Sequence, residues 1–242
     1  VLTISNNEII GTITSPVLSY AIESVNGVVV IMKIDQSKYP KENCIDFMVE
    51  NQIENEIEGL ENEDPEPSGM DISFYGCKLR VLVMYTPRAD YYCTIGMDLL
   101  AQFAIDQLNS SFIASNTNQE AELVYVGEME YSESSSMKQD LIYFRDKNDN
   151  VTDNVHSLRD EYGADVCVLL LQNGTHTKKF CGKAAATRSS RDQAFTVIDY
   201  RCVTTARSFT HEVGHLYGAQ HAEQDDHDMD LHYDAPYAHG YK

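Results

Sequence analysis

The segment His211-Glu212-Val213-Gly214-His215-Leu216-Tyr217-Gly218-Ala219-Gln220-His221 places three histidines four and then six residues apart. On a helix, residues four apart share a face, so the His211 and His215 imidazoles project together. Two neutral imidazoles so placed can ligate one zinc ion. Glu212 sits beside the first of them, too near in sequence to be an obvious third ligand. It is well placed to take a proton from water at the metal. Gly218 breaks the helix: without a Cβ it can adopt positive φ, turn the chain and return His221 to the metal. Three histidines leave a fourth position open for water, the layout of a catalytic rather than a closed structural zinc site. With average residue usage, this pattern arises by chance in a chain of this length about once in 100,000. The competing reading, a helix with surface histidines, is set aside on those odds.

Outward from the motif, Arg207–Tyr217 reads as its helix, closed by Gly218. Ala194–Asp199 before it reads as a strand, and Ala164–Leu171 is a continuous apolar run, as in a buried strand. Val151–Tyr162 and Met137–Phe144 read as short helices, and Ala121–Met129 as a strand. Met97–Ala114 has helical periodicity through Leu99, Leu100, Phe103, Ile105, Leu108 and Phe112. Leu79–Tyr85 is an apolar strand stopped by Thr86-Pro87. Strands alternating with helices predict an α/β domain with a mostly parallel sheet over residues 73–242. Residues 1–72 differ. They are β-rich, with Ser19–Val25 and Val28–Ile34 flanking Asn26-Gly27, a type I′ hairpin signal. They end in an acidic stretch closed by Pro65-Glu66-Pro67-Ser68-Gly69, which reads as an exposed linker and domain boundary.

Composition bounds the function. The chain has 242 residues, 43% of them hydrophobic, enough for a packed core. The formal net charge is −20. Such a surface repels phosphate backbones and anionic lipid, so nucleic-acid and membrane-surface roles are excluded as expectations. Residues 50–66 alone hold eight acids and no base. No apolar run reaches the 18 or more residues of a membrane span. Six cysteines without a CxxC pair suggest neither a zinc ribbon nor a thioredoxin-type motif. An even count, with sequons at Asn109, Asn150 and Asn173, fits an oxidising, extracellular setting.

The motif HExxHxxGxxH resembles that of the metzincin zinc endopeptidases, and more of the chain resembles their reprolysin (adamalysin)-like branch. Val81-Leu82-Val83-Met84-Tyr85-Thr86-Pro87, Gly163-Ala164-Asp165-Val166-Cys167-Val168-Leu169 and Tyr237-Ala238-His239-Gly240-Tyr241 are similar to that group. The resemblance covers roughly residues 79–242. It implies a five-stranded α/β subdomain with the active-site helix on the floor of a cleft. It implies one catalytic zinc on His211, His215 and His221, with Glu212 as general base. It also implies that Cys181-Gly182-Lys183-Ala184-Ala185 forms or flanks the edge strand on which peptides pair antiparallel. Protein or peptide substrates, a secreted location and, by default, a monomer follow as expectations. Two positions depart from the pattern. Ala222 stands where these enzymes carry Asp after the third histidine, and Met229, between Asp228 and Asp230, does not look like their Met-turn. The expectation is that the chain stops just short of that turn.

Residues 1–72 then read as a β-rich propeptide holding the enzyme latent. Cys44 is its only cysteine and the candidate switch, since a thiolate displaces water from zinc; the alternatives are an inert thiol, a disulfide, or a carboxylate such as Asp46. Cys181 and Cys202 flank a strand and are expected to pair. Cys77 and Cys93 flank the Leu79–Tyr85 strand, and their pairing is left open. Cys167 is expected as a buried thiol. The patch Asp225, Asp226, His227, Asp228, Asp230 and His232 reads as a solvated loop or as a site for a second cation such as calcium. His156 and His176 are expected at the surface. The rival function is a non-catalytic zinc-binding adhesin or decoy on the same scaffold; the intact Glu212 argues against it.

Overall fold

The computed structural model describes residues 1–14, 18–35, 78–172 and 180–221. Cys44, Asp46, Cys77, Asn173, His176, Ala222, the acidic linker, the 225–232 patch, Met229 and Tyr237–Tyr241 lie outside the described residues.

The described residues build two sheets. The first is an antiparallel meander of β1 (Leu2–Ser5), β2 (Glu8–Thr14), β3 (Ser19–Val25) and β4 (Val28–Ile34). Asn26 (φ 51°) and Gly27 (φ 77°) make the β3–β4 turn with positive φ at both positions, as a type I′ turn requires.

The second sheet runs β6-β5-β7-β9-β8. Its members are β5 (Lys78–Tyr85), β6 (Glu120–Glu128), β7 (Val166–Leu171), β8 (Gly182–Ala184) and β9 (Phe195–Asp199). The first four in spatial order are parallel, and β8 is antiparallel on the edge. Every residue of β7 and β9 is buried, because helices cover both faces of a parallel sheet. On one face lie α1 (Pro87–Tyr92), α2 (Met97–Ala114), α5 (Arg201–Ala206) and α6 (Ser208–Leu216). Their core joins Phe103, Leu100 and Leu108 to Val81, Val168, Phe209 and Val213. On the other lie α3 (Met137–Arg145) and α4 (Asn154–Tyr162), closing over Leu82, Met84, Leu169, Phe195 and Val197 with Leu141 and Phe144.

The meander docks on α2. Ile10 joins the α2 core, and the Thr3 hydroxyl donates to the Asp106 carboxylate at 2.6 Å. No helix among the described residues is long and apolar enough to cross a membrane.

Two helix starts are corrected, and one strand stop gains a second role. The motif helix begins at Ser208, because Arg207 adopts left-handed φ (57°) and separates it from the unpredicted α5. Thr86-Pro87 does more than stop β5: the Thr86 hydroxyl accepts from Ala89 N and Pro87 opens α1, as proline does at a first helical position. The α4 helix begins at Asn154, three residues after the expected start. Cys167 is a buried free thiol and Cys93 a half-buried one; burial pushes them up to about 12 and about 11.

Candidate active site

Helix α6 lies beneath the edge of the five-stranded sheet, anchored through Phe209 and Val213, both wholly buried. Its other face carries His211, Glu212 and His215. The β8–β9 loop caps the last turn: Arg188 N donates to His215 O and Ser189 N to Leu216 O, each at 2.9 Å. These bonds satisfy carbonyls that a helix end leaves open. Gly218 takes φ 98° and its N–H returns to His215 O. The chain reverses there and brings His221 back alongside the helix.

The three histidines converge. His215 Nε2 lies 2.9 Å from His211 Nε2, and His211 Nε2 lies 3.1 Å from His221 Nε2. Tetrahedral ligands at zinc–nitrogen lengths of about 2.0–2.1 Å would stand about 3.3 Å apart, so the cluster matches one ion's ligand shell within a few tenths of an ångström. The tautomer agrees. His215 Nδ1 meets Ala219 O at 2.8 Å, and a carbonyl can only accept, so Nδ1 carries the proton. The neutral ring then aims the Nε2 lone pair into the cluster, as an outer partner does for a metal-ligating histidine. Burial first, then the His215 and His221 imidazoles, push His211 down to about 3. A neutral imidazole is the form that binds a metal. The donor set fits zinc.

Glu212 is 2% exposed, and its carboxyl lies against the backbone of Gly182 on β8. The expected disulfide forms between Cys181 and Cys202, tying the start of β8 to α5. Asp199 N donates to Cys181 O at 2.8 Å, which fixes the same end to β9. The structure therefore brings together His211, Glu212, His215, His221 and the edge strand. His156, expected at the surface, is half-buried against the Phe195 ring, with Nε2 3.1 Å from Asp146 O.

The sequence reading missed a buried carboxylate across the sheet ends. Glu133 Oε1 accepts from Gln172 N at 2.7 Å and from the Thr86 hydroxyl, joining the ends of β5 and β7. Burial raises its pKa. No motif marks it; its position on a loop hides it from periodicity.

The family model for Reprolysin_5, metallopeptidase family M12, matches residues 26–241. Two peptidyl-Asp metalloendopeptidases of Stenotrophomonas maltophilia are similar throughout. That of strain R551-3 is 30% identical over 241 residues, and that of strain K279a 29% over 243. Each match covers 100% of this chain and 54% of the relative, so the chain spans about half the length of the curated relatives it matches. A solved chain from the "Structure of a chaperone-substrate complex" aligns with a TM-score of 0.51 at 19% identity, over 60% of this chain and 24% of its own, a likeness of fold. The family match takes in the motif helix, both edge strands of the five-stranded sheet and the converging histidines, and on it this chain belongs to metallopeptidase family M12.

Proposed function

We propose that residues 73–242 are the catalytic region of a secreted zinc endopeptidase, with residues 1–72 as its latency segment. The observation that carries the reading is the convergence of the His211, His215 and His221 Nε2 atoms, with the buried Glu212 on the same helix as the first two. A zinc ion held there would polarise the scissile carbonyl and acidify water at its open position. Glu212, as general base, would take a proton from the attacking water and return it to the leaving amine. Strand β8 offers its outer edge to an extended peptide, whose main chain would pair with it whatever its sequence. The relatives' name, peptidyl-Asp metalloendopeptidase, makes aspartate-containing peptides the first substrates to assay.

Residues 1–72 serve as the propeptide in this reading, with the meander docked through Thr3 and Ile10 and Cys44 as the candidate thiolate switch. Release would follow a cut between roughly residues 66 and 80. The test is a mixed peptide library given to the chain after limited proteolysis there, with zinc, with a chelator, and with zinc restored. Cleavage that disappears with the chelator and returns with zinc supports the reading. No cleavage in any arm, from a chain that binds one zinc, favours the adhesin or decoy instead.

A further inference from the structure

Gly182 is a glycine for reasons of space. It is not among the described glycines with positive φ, so its backbone makes no demand that other residues cannot meet. A Cβ built on it would lie 2.6 Å from Glu212 Cγ, 2.7 Å from Glu212 Oε1 and 2.9 Å from Glu212 Cδ. Real Cβ atoms essentially never approach heavy atoms under 3.0 Å. All three nearest atoms belong to one side chain, so the Glu212 carboxyl occupies the volume that any residue other than glycine would claim.

Neither backbone is free to retreat. Strand β8 is held at its start by the Cys181–Cys202 disulfide and by Asp199 N on Cys181 O. Beyond Gly182, the Thr196 hydroxyl donates to Lys183 O and Ala185 N to Phe195 O, each at 2.9 Å. Helix α6 is held by Phe209 and Val213 in the core and by the β8–β9 loop at its C-terminal turn. Interiors this close-packed do not absorb an added methyl without moving something. Here the movable part is the Glu212 side chain.

We propose that Gly182 is a positioning residue. Its missing side chain lets the Glu212 carboxyl rest against the edge-strand backbone in one orientation, on the helix that carries His211 and His215. The proposal rests on the reading of Glu212 as the general base. It adds that the strand receiving the peptide also sets the direction of the base.

Two measurements on the full chain test it. The first is a thermal-stability cycle on metal-free protein: wild type, Gly182→Ala, Glu212→Ala and the double variant. Gly182→Ala should lower Tm by about 5 °C, a typical cost of overpacking in a domain this size. In the Glu212→Ala background the same substitution should cost almost nothing, because the truncated side chain vacates the space. Should Gly182→Ala fail to fold, recovery of folding in the double variant reads the same coupling. Equal losses in both backgrounds would overturn the contact. The second is turnover of an aspartate-containing peptide by zinc-loaded protein after the linker cut. Gly182→Ala should keep one zinc and a KM within about twofold while kcat falls about 100-fold, the scale of an ångström's misplacement of a catalytic group. Full kcat would overturn the positioning role. Coupling in the stability cycle beside equal turnover of wild type and Glu212→Ala would overturn the base reading, and the catalytic purpose of the contact with it.

Discussion

At the scale of single residues, protonation separates the histidines. The His211, His215 and His221 cluster is legible in sequence because metal geometry dictates residue type and spacing together. His156 is not, because a polar helix pattern does not reveal that its ring meets Phe195 from the sheet. Burial lowers its imidazole below the ordinary 6.5. Protonation therefore favours the unfolded chain, so stability is full above the unfolded value and is lost as pH falls through about 6.5 toward the folded one. Wild type should lose more Tm than His156→Gln between about pH 7.5 and 5; parallel pH profiles would contradict the burial argument. At the cluster, His211→Ala should leave a folded chain that no longer retains stoichiometric zinc, measured as metal content after dialysis.

At the scale of elements, long periodic segments such as α2 and the β3–β4 hairpin are legible to the residue. The short ones are not. Helix α5 hides because Arg207 breaks the helical path with a left-handed φ at a residue that carries no such signal. Helix α1 was marked by Thr86-Pro87, a cap-and-proline start that reads equally as a strand stop. The disulfide was readable from the flanking of one strand by Cys181 and Cys202. The bridge closes a separation of 21 residues, so its loss should cost about 3 kcal/mol on the loop-entropy account. The Cys181→Ala/Cys202→Ala double variant should unfold at lower temperature and turn over more slowly, since β8 loses its tie to α5; unchanged values of both would contradict the anchor. Glu133→Ala should cost about 2 kcal/mol by orphaning the buried Gln172 N–H and Thr86 hydroxyl, read as a shift in the denaturation midpoint.

At the scale of the whole molecule, two sheets of different character share one core through Ile10. The composition changes from β-rich to alternating around residue 72, while the meander ends at Ile34 and the second sheet begins at Lys78. How the meander sits was not legible, because docking rests on long-range pairs such as Thr3 with Asp106, 103 residues apart. If the meander holds the enzyme latent, loosening it should release activity. After the linker cut, Asp106→Ala should therefore show higher basal turnover than wild type; equal turnover would separate the meander from latency.

The central claim is that Glu212, on the helix that carries His211 and His215 and packed against the edge strand, does the proton transfer of a zinc peptidase. The direct measurement is zinc content and peptide turnover of wild type and Glu212→Ala side by side, after the linker cut. The account predicts one zinc in both, cleavage by wild type, and none above background in the variant. Glu212→Ala that binds zinc and still cleaves would contradict it.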